Sequence, residues 1–251
     1  MQRYFAAAGA ALTLSLTVPV SAETLSQRSA ESRVTLGYRV TDAAVQALLP
    51  AGWTLSGAGG PGANLTLIFT DRALYQTPEG QPIAGGRTRD VIFIASASNA
   101  AGQNRTFVVL TLSPERATPG PYGVSIPATF ETRTQTVTGA DEKPLSEQHW
   151  KVQLAEGGGL ELDLRYERGP VRRGAMQTTG GQLVYSAKTP DFYRIYRTES
   201  GTDAVSAASP SRLRSSSLKV TGARLTTLLN GSERLVSMSE TPYYLREVWL
   251  P

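Results

Sequence analysis

The sequence has no cysteine and a single histidine, His149. Disulfides and thiol chemistry are therefore excluded, and one imidazole rules out nearly all transition-metal sites. No D-x-D-x-D-G loop is present for calcium, and no P-loop or G-x-G-x-x-G for a nucleotide. No metal and no cofactor is expected. Lysine is scarce, with 4 residues against 21 arginines. The arginines are scattered instead of gathered on one run, which argues against a nucleic-acid partner despite the net charge of +4. Beyond the N-terminal segment, no apolar run approaches the ~20 residues of a spanning helix.

The N-terminal segment reads as a secretory signal peptide. Arg3 is basic, Phe5 to Val20 is apolar, and Val20-Ser21-Ala22 forms a small-x-small cleavage site before Glu23. This defines residues 1–22 as the leader and 23–251 as one domain. An exported chain without cysteine suits a bacterial periplasm better than a small eukaryotic secreted fold.

With 24 glycines and 15 prolines, the remainder is a succession of short strands and turns. Arg33–Val40 reads as a strand after a polar leader, followed by a short helix over 43–49. Arg89–Ser98 and Arg105–Ser113 read as a hairpin around Asn99–Asn104. The unbroken apolar runs Val91–Ile94 and Phe107–Leu110 predict strands covered on both faces. Alternation at Trp150, Val152 and Leu154, and again at Leu160, Leu162, Leu164 and Tyr166, predicts two strands with one buried and one wet face. The chain closes with strands at Gln182–Ser186, Phe192–Thr198 and Ser215–Val220, a short helix near Gly222–Leu229, and a hairpin of Arg234–Ser239 with Tyr243–Leu250. The fold class is mainly β: an antiparallel, barrel-like single domain with two short helices.

Thr118 to Phe130, T-P-G-P-Y-G-V-S-I-P-A-T-F, is the most constrained turn and the place to look for a site. Gly123-Val-Ser125-Ile-Pro127 gives half of a serine-hydrolase G-x-S-x-G, with proline where the second glycine belongs. His149 shares a polar strand face with Lys151. Asp71 and Asp90 lie at strand edges, and nothing in the sequence fixes their separation.

The segment Arg33 to Trp53, with its strand, short helix and Leu49-Pro-Ala-Gly52, resembles the opening of the acetoacetate decarboxylase-like superfamily. The order that follows is similar too: a strand beginning near Arg89-Asp90-Val91, a further strand, then a proline-rich turn. The closing Pro242–Pro251 segment is compatible with that family's final strand. The resemblance implies a β-barrel-like fold with an internal, mostly apolar pocket. In the decarboxylases a lysine in a G-F-P-K-K-like turn forms a Schiff base with a β-keto acid. Here Ala128 and Thr129 stand at those positions, so the resemblance implies a small-organic-ligand pocket without Schiff-base decarboxylation. The expected ligand pocket comprises Tyr122, Ser125, Ile126, Pro127, Ala128 and Arg89. The catalytic candidate is Asp90, at about the place of the family's pocket carboxylate, with Arg87 or Arg89 as anion-binding guanidinium. Two alternatives stand beside this reading. One is an enzyme using a pocket carboxylate and an arginine for proton transfer on carbonyl compounds. The other is a non-catalytic envelope-associated binding protein presenting Phe192–Arg197.

Overall fold

The computed structural model describes residues 22–56, 62–138, 144–205 and 212–251. The leader, most of the expected Gly57–Gly62 loop, and Lys143 lie outside the described residues. The strands are β1 (Thr24–Arg39), β2 (Trp53–Leu55), β3 (Leu65–Gln76), β4 (Thr88–Asn99), β5 (Asn104–Ser113), β6 (Ser125–Thr138) and β7 (Pro144–Leu154). They continue as β8 (Gly159–Glu167), β9 (Arg172–Gly174), β10 (Gln182–Ser186), β11 (Tyr193–Ala204), β12 (Leu213–Thr221) and β13 (Arg234–Leu250). Helix among the described residues is confined to α1 (Asp42–Gln46), α2 (Ala223–Thr226) and a 3-10 turn at Glu115–Ala117. None of these helices is long and apolar enough to cross a membrane.

Seven strands close on themselves in the order β4-β5-β10-β11-β13-β1-β3 and back to β4. Closure removes the open edges that an isolated sheet would present. Most neighbours are antiparallel; the seam between β5 and β10 is parallel, with Tyr185 opposite Phe107 and Ser186 opposite Val108. The far end of β5 pairs in parallel with β6 instead, Thr111 opposite Ser125 and Ser113 opposite Pro127. From there the chain leaves the barrel and builds an outer antiparallel sheet, β6-β7-β8-β12.

The period-two pattern explains how the two layers pack. On β7 and β8 the alternating apolar set Trp150, Val152, Leu154, Leu160, Leu162, Leu164 and Tyr166 is buried. It belongs to one core cluster with Val34, Leu36, Leu65, Leu67, Phe69, Val91 and Phe93, the outward-facing residues of β1, β3 and β4. The rings of Phe69 and Trp150 meet edge-on at 5.5 Å. The main hydrophobic core therefore lies between the barrel wall and the outer sheet. On the other face of β4, Ile92 and Ile94 pack against Val108, Tyr122 and Val184 inside the barrel. Strand β4 is thus covered on both sides, as its unbroken apolar run predicts.

Two expectations need correction. The closing hairpin does not form: residues 234–250 are one continuous strand that pairs with β1 on one side and β11 on the other. The ladder with β1 slips in register where Thr241 faces Arg33 and Tyr244 faces Glu31. This irregularity accommodates Pro242, whose missing N–H would break a regular ladder. The polar segment before Arg33 is also strand, with Gln27, Ser29 and Glu31 buried.

Candidate functional site

The interior of the barrel is charged. Strand β1 alternates Gln27, Ser29, Glu31 and Arg33, and the pairing register sets Glu31 beside Arg72 of β3 and Ser29 beside Arg246 of β13. Asp90 enters from β4, Thr111 and Ser113 from β5, and Arg194 and Tyr196 from β11. The turn 117–125 covers one end and adds Ala117, Pro121, Tyr122 and Ser125 to the lining. All of these groups except Ser29, Glu31 and Arg33, which lie behind the lining, border a cavity of about 60 Å³, the space of roughly two waters at ~30 Å³ each.

Glu31 is the hub of this cluster. Arg33 Nη2 donates to its Oε1 at 2.9 Å, Arg72 Nε lies 3.3 Å from Oε2, and Arg246 Nε lies 3.5 Å from Oε1. Ser29 Oγ donates to the same Oε1 at 3.3 Å and accepts from Arg246 Nε at 3.2 Å. Burial alone would raise the Glu31 carboxyl, but the Arg246, Arg33 and Arg72 charges overcome it and hold the carboxyl well below the usual range. Burial opposes the charge on Arg72 and Arg246, yet their facing carboxylates and, for Arg246, its tyrosines raise both above the ordinary guanidinium value.

Asp90 forms the second carboxylate position. Its Oδ2 accepts from Arg72 Nη1 at 2.5 Å and its Oδ1 from Ser113 Oγ at 2.7 Å. Thr88 Oγ1 accepts from Arg72 at 2.6 Å and closes the triangle. Asp71 is on the adjacent residue pair but the opposite face of the wall, bonded to Arg89 at 3.2 Å. The two carboxylates that the sequence left unplaced therefore do not form a pair.

Arg194 differs from the other interior arginines. It is 4% exposed, and among the described residues it has no carboxylate partner. Its Nη2 donates to Gln27 Oε1 at 2.9 Å and reaches Ser26 Oγ at 3.4 Å, while its Nε has no hydrogen-bond partner. Gln27 Oε1 also accepts from Tyr75 at 3.2 Å. The Tyr122 and Tyr196 hydroxyls, both in the cavity lining, share a short hydrogen bond. Burial, then Tyr196, pushes the Tyr122 phenol well above its usual value, against the pull of Arg194 and Arg246.

The residues singled out in the sequence fall in three places. Asp90, Tyr122 and Ser125 line the interior cavity. Arg89, Pro127 and Ala128, with Arg87, line a groove of about 770 Å³ on the outside of the wall. Ile126 packs against the main core. Sequence reasoning gives no role to Glu31, Arg72 or Arg246 and places Arg194 only within the Phe192–Arg197 contact strand, although the polar alternation of β1 and the Arg194-x-Tyr196 spacing are signals that point inward. Within Phe192–Arg197, Arg194 and Tyr196 face the cavity, whereas the Arg197 guanidinium stacks on Trp249 at 4.4 Å. No described lysine lines the cavity: Lys151 sits 3.8 Å from Glu131 on the outer sheet, and Lys188 and Lys219 are exposed. His149 bonds Asp163 at 2.8 Å on the outer sheet, and Glu161 completes a surface group there.

A closed β-barrel with a second sheet packed outside is a fold similar to that of acetoacetate decarboxylase-like enzymes. Four solved structures carry that comparison. The enduracididine biosynthesis enzyme MppR, in a structure with HEPES buffer bound, superposes with a TM-score of 0.56 at 13% identity, covering 98% of this chain and 96% of that one. An acetoacetate decarboxylase-like enzyme from Sphingomonas wittichii RW1 superposes with a TM-score of 0.55 at 12% identity, covering 97% and 98%. An acetoacetate decarboxylase gives 0.51 at 10% identity over 94% and 93%. MppR is also known in complex with pyruvate, at a TM-score of 0.54 and 13% identity over 96% and 95%. No protein-family model matches the chain, and no curated protein matches it.

Proposed function

We propose that this protein is an exported, acetoacetate decarboxylase-like barrel that binds a small organic carboxylate of the 2-oxo-acid kind without forming a Schiff base. The observation that carries the reading is Arg194. A buried guanidinium without a countercharge is destabilising; Arg72 is paired with Glu31 and Asp90, and Arg246 with Glu31, which leaves Arg194 as the cavity arginine with no carboxylate partner among the described residues. A ligand carboxylate supplies the missing charge, and the Tyr122–Tyr196 hydroxyls supply donors for an adjacent carbonyl oxygen. The small cavity restricts the ligand to an acid of a few carbon atoms. Pyruvate, the ligand in one of the similar structures, has that size and pair of groups.

The absence of a lysine from the described lining supports non-covalent binding. Both oxygens of Asp90 are already engaged, by Arg72 and Ser113, which argues against proton transfer by this carboxylate. Export is supported by the leader and by the start of the barrel: β1 opens at Thr24, and the Glu23 carboxylate pairs with Arg197. Cleavage after Ala22 would leave every barrel strand intact.

Calorimetry with pyruvate, and with pyruvamide as the uncharged analogue, tests this reading. Pyruvate should bind and pyruvamide should bind at least about tenfold more weakly, a difference of ~1.4 kcal/mol. Equal binding of the two, or no binding of either, would remove the proposal.

A further inference from the structure

On the other side of the turn that carries Tyr122 lies a second, larger hollow of about 780 Å³, a size typical of small-molecule sites. Its walls are Ala44 of α1 with Ala47 and Leu48 just after it, β5 (Val109, Leu110), the turn residues Gly123 and Val124, Ala187, and Thr227 and Leu228 after α2. Nearly all of this lining is apolar. Two cations, Lys188 and Arg224, stand in it, and no carboxylate does. Lys188 is exposed, and among the described residues it has no carboxylate partner; Arg224 reaches only Glu156, at 3.6 Å, with both side chains half exposed. The Lys188 side chain lies directly over Gly123. Its backbone N–H donates to Ser186 Oγ, which in turn donates to the Tyr122 carbonyl at 2.7 Å. This network fixes one wall of the hollow.

We propose that this hollow is a binding site for an amphipathic monoanion, specifically a free medium-chain carboxylic acid. The apolar walls take the alkyl chain, and Lys188 and Arg224 hold the carboxylate. An uncharged apolar ligand would leave both cations unused, and a small polar anion would leave the walls wet. The excess of positive charge with no acidic neighbour in the lining selects the anion, and the apolar residues of the walls select the chain.

Calorimetry of the mature protein with octanoate, decanoate and decanol tests the assignment. Each buried methylene contributes about 0.8 kcal/mol, so decanoate should bind roughly fifteenfold tighter than octanoate, and decanol more weakly than decanoate. Lys188→Glu should weaken decanoate several-fold. Ala47→Trp, at the exposed position just after α1, should fill the hollow and abolish binding while the circular dichroism spectrum stays unchanged. Decanol binding as tightly as decanoate would overturn the role of the cations. Decanoate binding that survives Ala47→Trp, or that is lost in Arg194→Met, would place the ligand elsewhere and overturn the site. Association only with anionic vesicles, and not with the free acid, would equally overturn it.

Discussion

Removing the charge of Glu31 should destabilise the barrel far more than an ordinary surface substitution. Its side chain is fully buried and faces Arg33, Arg72 and Arg246. Glu31→Gln keeps the shape but leaves three guanidiniums with one fewer countercharge inside a closed barrel. Breaking a buried ion pair from one side costs about 3–5 kcal/mol, a large share of the ~5–15 kcal/mol that holds a typical domain together. At ~2–4 °C per kcal/mol for a chain of this size, the midpoint of thermal unfolding should fall by roughly 6–20 °C. Because the folded Glu31 carboxyl is held below its usual value of 4.5, its contribution is fully present above that value and is lost as pH falls below it. The gap between wild type and Glu31→Gln should therefore be widest above pH ~5 and narrow under more acid conditions. In the double variant Glu31→Gln/Arg246→Met, the countercharge and one guanidinium leave together, so part of the loss should return. Thermal denaturation followed by circular dichroism reads all three quantities. A shift within about 2 °C of wild type at neutral pH would refute the claim that a buried charge hub organises the interior.

Arg194→Met should behave in the opposite way: unfolding temperature unchanged or raised, because a buried cation without a carboxylate is removed, but pyruvate binding lost in calorimetry. Trp150→Ala, which empties the interface with Phe69, should cost about 3–5 kcal/mol by denaturant unfolding. Tyr38 and Tyr166 are pushed well above the ordinary phenol value by burial, then by Glu233 and Glu240 respectively. The stability tied to their neutral form is present below about pH 10 and lost above it, so near-ultraviolet absorbance should show tyrosinate appearing late and together with unfolding. Mass spectrometry of the periplasmic fraction should give a mature chain beginning at Glu23, and a mass retaining residues 1–22 would argue against export.

The parts of the fold legible in the sequence are those where burial has one wet alternative. Strands β7 and β8 alternate apolar and polar residues because one face meets the core and the other meets water, and period-two reading finds them directly. The runs Val91–Ile94 and Phe107–Leu110 announce themselves because both faces are covered. The first half of β1 hides for the opposite reason. Gln27, Ser29 and Glu31 look like a solvated leader, yet they point inward, because this barrel is filled by polar groups that satisfy one another. The same inversion conceals Arg72 and Arg246, whose partners are far apart in the chain and meet only on closure. Asp90 could be named from the resemblance to the decarboxylase-like family and Tyr122 from its constrained turn, but which side of the wall Arg89, Pro127 and Ala128 face is a matter of register. No local pattern encodes that register.

The central claim is a closed cationic interior that holds a small carboxylate on Arg194 without covalent attachment. Carbon NMR of pyruvate labelled at its carbonyl carbon, titrated with the protein, tests it most directly. The account predicts a signal that broadens or shifts on binding yet remains that of a ketone, with the change abolished by Arg194→Met. An imine signal, or a ketone signal unaffected by the protein, would contradict it.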